Sequence, residues 1–121
     1  MKWFGFLVLF WLLSAPVRAA ETIDLNVHTA GDLAAYCAVD PHSAGADAKI
    51  NFCLGFAQGA VDVRMHVAAD KRPFCFPEPP PRRSATMREF VGWVRATPAN
   101  RDLLVLDGLF RFLEQRFPCT H

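Results

Sequence analysis

The chain has 121 residues, with 13 Lys or Arg against 12 Asp or Glu, and 52% of its residues are hydrophobic. That length holds one small domain. A formal net charge of +1 leaves no broad basic surface of the kind nucleic-acid binding requires.

The first element is a leader. Lys2 is followed by an apolar run from Trp3 to Leu13 and then by Ser-Ala-Pro-Val-Arg-Ala-Ala to Ala20. This is the order of a secretory signal peptide, with cleavage expected after Ala19. The run falls short of the roughly 20 apolar residues a membrane span needs. The expected mature domain is 20–121, with no span left after cleavage. Without Lys2 and Arg18 it carries 11 basic and 12 acidic residues, a net −1. Cys37, Cys53, Cys75 and Cys119 all lie in it. An even count in a small exported domain points to two disulfides. The alternative, zinc, would want a C-x-x-C or H-x-x-x-H pair, and neither is present.

Residues 20–27 read as a polar lead-in. Thr29 can cap a short helix whose first turn holds Asp32, and Leu33, Tyr36 and Cys37 supply its inner face. Asp40-Pro41 ends it, and 41–46 is a loop. The longest proline-free stretch follows, a helix from about Asp47 to Ala69. One stripe along it is Phe52, Phe56, Ala60, Val63 and Val67; a second is Ile50, Cys53, Leu54, Ala57, Val61, Met65 and Ala68. A helix apolar almost all round predicts a central position in a bundle. Gly55 and Gly59 each cost about 1 kcal/mol against alanine, which predicts a close approach of another backbone there.

Residues 71–83 hold five of the nine prolines and read as a stiff extended connector. A third helix is expected from Ser84 or Thr86, with Thr86 and Glu89 at capping-box spacing and Met87, Phe90, Val91 and Val94 inward. Thr97-Pro98 closes it and opens a fourth helix reaching Phe117, with Leu103, Leu106, Leu109, Phe110, Leu113 and Phe117 inward. No strand alternation or internal repeat is visible. The expected fold is all-α, a small four-helix up-and-down bundle stapled by two disulfides. In that topology Cys37 and Cys53 meet at one end and Cys75 and Cys119 at the other. A Cys53–Cys75 bond would have to span a helix about 25 Å long.

Little here resembles catalytic machinery. Beyond the leader the only serines are Ser43 and Ser84, neither in a nucleophile motif. Gln58, Asp62 and His66 form a polar line on the long helix, conceivable as an acid–base or metal site; a polar seam without a third ligand or nucleophile is the simpler reading. No enzyme, cofactor or metal is read from it. Arg82, Arg83, Arg88, Trp93 and Arg95, on and before the third helix, are the candidate partner-binding residues, since Arg and Trp are enriched at binding hot spots.

C-L-G-F-A-Q-G-A-V-D from Cys53 to Asp62, F-C-F-P from Phe74 to Pro77, a threonine-capped helix before Thr97-Pro98, and F-P-C from Phe117 to Cys119 come in that order after a leader. This set resembles the Rap/Tai immunity proteins, over about residues 29–119. The resemblance implies a periplasmic, disulfide-stabilised helical domain, often a homodimer, that blocks the active site of a peptidoglycan amidase effector of type VI secretion. It implies recurrent, fold-determining positions at Gly55, Gly59, Asp62, Pro77 and Pro118 beside the cysteines, and Gly108 stands where alanine is expected, which would loosen the last helix. The second functional class is an HdeA-like periplasmic acid-stress chaperone, which would open in acid; two cystines tying both ends of the bundle oppose that. A family member without a cognate toxin is a further alternative.

Overall fold

The computed structural model describes Pro16 and residues 24–120. The expected leader at 1–19 lies outside the described residues apart from Pro16, as do Ala20–Ile23 and His121. Five helices follow in order: α1 (Ala30–Cys37), α2 (Ala46–Ala68), α3 (Arg83–Ala96), α4 (Pro98–Arg101) and α5 (Val105–Arg116). Among the described residues there is no strand, only an isolated antiparallel bridge between Thr29 and Leu104. The fold is all-α and carries two disulfides, Cys37–Cys53 and Cys75–Cys119.

α1 forms because Thr29 and Asp32 cap it reciprocally. The Asp32 amide donates to Thr29 Oγ1 at 3.1 Å, and the Thr29 amide donates to Asp32 Oδ2 at 2.8 Å. Two of the four orphan groups at the helix start are thereby satisfied. Although only 8 residues long, α1 packs against every other helix. Ala30 and Leu33 are fully buried and Ala34 nearly so. The centre of the fold is therefore α1.

The long helix expected at the centre lies at the side. α2 packs on α1 and α3, and only Ala46, Cys53 and Ala57 of its residues are buried. Its second stripe faces inward, with Leu54, Val61 and Met65 half-buried against the core. Its first stripe divides: Phe56 and Ala60 are half-buried against the core, while Val63 is 65% exposed and Val67 72%. The expected close approach at Gly55 and Gly59 is also absent, since a Cβ on either would meet nothing within 4 Å. It occurs instead at Gly108 of α5, where a Cβ would stand 2.6 Å from that of Ala30. Far from loosening its helix, Gly108 lets α5 reach α1.

The expected fourth helix is broken in two. After α4 the chain leaves helical geometry at Asp102–Leu104, and the segment leading into α1 takes up the freed groups. The Ala30 amide donates to the Leu103 carbonyl, and the Val105 amide to the His28 carbonyl, both at 2.9 Å. The break rotates α5 relative to a continuous helix. Leu109, Leu113 and Phe117 are buried as expected and Phe112 joins them, while Leu106 is 44% exposed.

α3 begins at Arg83 without a side-chain cap. Thr86 does not cap it but is buried inside it, its hydroxyl donating back to the Arg82 carbonyl. Glu89 reaches across to α5 and pairs with Arg116. The connector 69–82 is non-helical and is pinned from within. Phe74 is fully buried, stacks on Phe110 and meets Phe76 edge-on. The Cys75 amide donates to the Phe117 carbonyl at 2.8 Å, beside the cystine to Cys119.

Candidate partner-binding surfaces

The polar line on α2 resolves into one pair and a bystander. Gln58 Nε2 donates to Asp62 Oδ1 at 2.6 Å, while His66, one turn on, is exposed and hydrogen-bonds to neither. Gln58 and Asp62, but not His66, edge a hollow walled by Ala57, Val61, Met65, Phe76, Pro80 and Met87. No serine or free cysteine stands in it. Among the described residues no group of three or more His, Cys, Asp or Glu is placed to hold a metal. Asp62 is exposed, so its visible structural contact is with Gln58. Pro77 and Pro118, also exposed, flank the Cys75–Cys119 cystine at the rim of a shallow depression with Phe76, Phe117 and Arg116.

The five residues singled out on and before α3 do not form one patch. Arg82 and Arg83 are exposed at the positive end of the α3 dipole, where a cation costs a few tenths of a kcal/mol. Arg83 edges the hollow beside Asp62. Arg88 and Arg95, two helical turns apart, share a different face. They rim a groove between α3 and the corner joining α1 to α2, whose floor includes Val39, Ile50, Leu54 and Val91 and whose wall is the Cys37–Cys53 cystine. Trp93 points elsewhere, to the seam with α5. Its indole Nε1 donates to Gln115 Oε1 at 2.9 Å, and its ring packs on Phe90 and Phe112. Trp93 is half-buried and part of the α3–α5 packing.

A second groove runs along the outward side of α2, where it faces α5. Gly55, Phe56, Gly59, Ala60, Val63 and Val67 line one side, and Val105, Leu106 and Phe110 the other. Arg64 is the one charged residue lining it, and its guanidinium stacks over the Phe110 ring at 5.6 Å. Composition along the helix announced these apolar residues but not their exposure. The missed features are the Arg88–Arg95 groove, the Ala30–Gly108 crossing and the Glu89–Arg116 pair, whose members lie 27 residues apart with no local signal linking them.

The family model for Rap1a immunity proteins matches residues 29–119. The chain belongs to the Rap1a immunity protein family. The match takes in all five helices, both cystines and the connector, so the whole described fold from the α1 cap onward is the Rap1a domain. Comparison with curated proteins and with solved structures gave no match. As a Rap1a family member the chain is an immunity protein by family. Among the described residues of this Rap1a domain, no helix is long and apolar enough to cross a membrane.

Proposed function

We propose that this chain is a periplasmic immunity protein that neutralises a peptidoglycan amidase effector of type VI secretion by covering its active site, without catalysis of its own. The observation that carries the reading is the Rap1a match over 29–119, which spans both cystines. Paired cysteines persist in oxidising compartments such as the periplasm, and residues 1–19 supply the export signal the reading requires. An inhibitor of this kind needs a rigid surface more than reactive groups. Two loops closed by cystines, with sequence separations of 16 and 44, add rigidity to what the small core supplies.

The outward face of α2 favours a homodimer as the working unit. Val63, Val67 and Leu106 are exposed apolar residues on one groove. Gly55 and Gly59 leave open space beside them, where the backbone of a second helix can come close. The same face would serve an HdeA-like chaperone as a client surface, and dimerisation is the reading that leaves it covered in the native state.

The test is capture of partners by the tagged, oxidised mature protein from periplasmic and secreted fractions, identified by mass spectrometry. One stoichiometric partner with amidase activity is the expected result. Many unrelated proteins, recovered mainly in acid, would replace the immunity reading with the chaperone.

A further inference from the structure

The groove rimmed by Arg88 and Arg95 has a composition that specifies what can fill it. Its floor is apolar: Ile50 and Val39 are half-buried yet stand outside the core cluster, and Leu54 and Val91 lie beside them. Its rim is cationic, and no Asp or Glu lines it. Among the described residues the single salt bridge is Arg116 with Glu89, so neither Arg88 nor Arg95 is neutralised by the fold. Asp40, at the nearby corner, has its Oδ1 engaged by the His42 amide at 2.9 Å. Between the two arginines sits Gly92, exposed, where a Cβ would meet nothing within 4 Å. The missing side chain leaves the floor open midway along the rim.

We infer that this groove docks an acidic segment of the partner protein, with two carboxylates held by Arg88 and Arg95 and an apolar side chain between them seated over Gly92 against Ile50 and Leu54. The identification of the partner as an effector rests on the immunity reading; the chemistry of the segment does not. Seven residues of helix separate the arginines by about 10.5 Å. Side chains of an extended chain share a face only at every second residue, so carboxylates four residues apart lie about 13 Å apart on one face. The residue midway between them is on that same face, and the long arginine side chains take up the difference. An extended segment with acidic residues at that spacing therefore meets both guanidinium groups, each able to take a carboxylate bidentately. A polyanion such as a glycan or nucleic acid would satisfy the rim alone and leave the apolar floor uncovered.

The experiment is selection of a phage-displayed random peptide library on the oxidised mature protein, with the Arg88→Glu/Arg95→Glu double variant as counter-target. Both positions are exposed on a helix, and circular dichroism verifies that the variant folds. The expected peptides carry two acidic residues flanking an apolar one. Synthetic copies are expected to bind the double variant about tenfold or more weakly and to bind the wild type more weakly as salt is raised. Neutral or basic peptides, no enriched peptide, equal affinity for the double variant, or binding of heparin in place of any peptide would overturn the inference. Because the selection contains no effector, an acidic consensus in a protein that captures no amidase would sink the immunity reading and leave the groove intact. Capture of an amidase equally well by the double variant would do the reverse.

Discussion

A side chain on Gly108 would place its Cβ 2.6 Å from the Cβ of Ala30, so α5 crosses α1 at a point with no room for a side chain. Atoms that close cannot coexist, and the atom in the way is fixed to a helix backbone rather than at the end of a flexible side chain. Gly108→Ala is therefore expected to destabilise the domain by about 1–3 kcal/mol through overpacking. Gly55→Ala, in open space on α2, should stabilise it by up to about 1 kcal/mol. Chemical denaturation of the two variants should show opposite signs; a neutral Gly108→Ala would mean the crossing can widen freely.

The two cystines close loops of different length and should differ in weight. In the chain-entropy account the Cys37–Cys53 bridge contributes about 3 kcal/mol and Cys75–Cys119 about 4 kcal/mol. The paired Cys75→Ser/Cys119→Ser variant is expected to lose more stability than Cys37→Ser/Cys53→Ser, and to free the connector around Phe74. Urea melts of both, under non-reducing conditions, check the order.

Acid should weaken the start of α1. The Thr29 amide, the His28 amide and the Thr29 hydroxyl hold the Asp32 carboxyl below its ordinary value of 3.8. A carboxylate depressed on folding adds stability that is complete above the unfolded value and is lost as pH falls below it. Asp32→Asn should lower stability at neutral pH by about 1 kcal/mol or less and flatten the decline below about pH 4. Thr29→Ala, which removes the other half of the capping box, should cost about 1 kcal/mol. Denaturation at pH 7 and pH 3 reads both; an unchanged acid limb in Asp32→Asn would remove this group from the account.

Exposure of Val67 and Val63 makes a sharp prediction about assembly. Val67→Asp lies on a face the folded domain does not use, so its unfolding free energy as a monomer should be unchanged within about 0.5 kcal/mol. If α2 pairs with a second copy, the same change should turn a dimer into a monomer in light scattering. A wild type that is monomeric at all concentrations would show that the groove has another occupant or none.

Local sequence carried much of this fold and misassigned its centre for a physical reason. The Thr29 cap with Asp32 in the first turn, the extent of α2 and the order of the cysteines are local or topological features, and each is present as expected; α1 itself stops at Cys37, ahead of Asp40-Pro41. Apolar content around α2 predicts burial, but Val63 and Val67 are apolar and exposed, because an apolar side chain does not reveal whether anything covers it. Conversely α1 offers few large side chains, and its centrality depends on Ala30 and Ala34 being small enough for other helices to close on them. The break at Asp102–Leu104 is held by hydrogen bonds to His28 and Ala30, more than 70 residues earlier in the chain, so no local pattern marks it. The arginine groove was half legible. Arg88 and Arg95 share a face by spacing alone, but Ile50 and Leu54 reach it only through the α1–α2 corner, and Trp93 leaves it for Gln115.

The central claim is occlusion of an amidase, and its most direct test is titration of the captured effector's peptidoglycan amidase activity with the oxidised mature protein. The account predicts activity falling to the background at one protein chain per effector chain, with the Asp62→Asn and His66→Ala variants inhibiting as well as the wild type. Full amidase activity in the saturated complex would contradict it, as would an effector activity of a different chemical class.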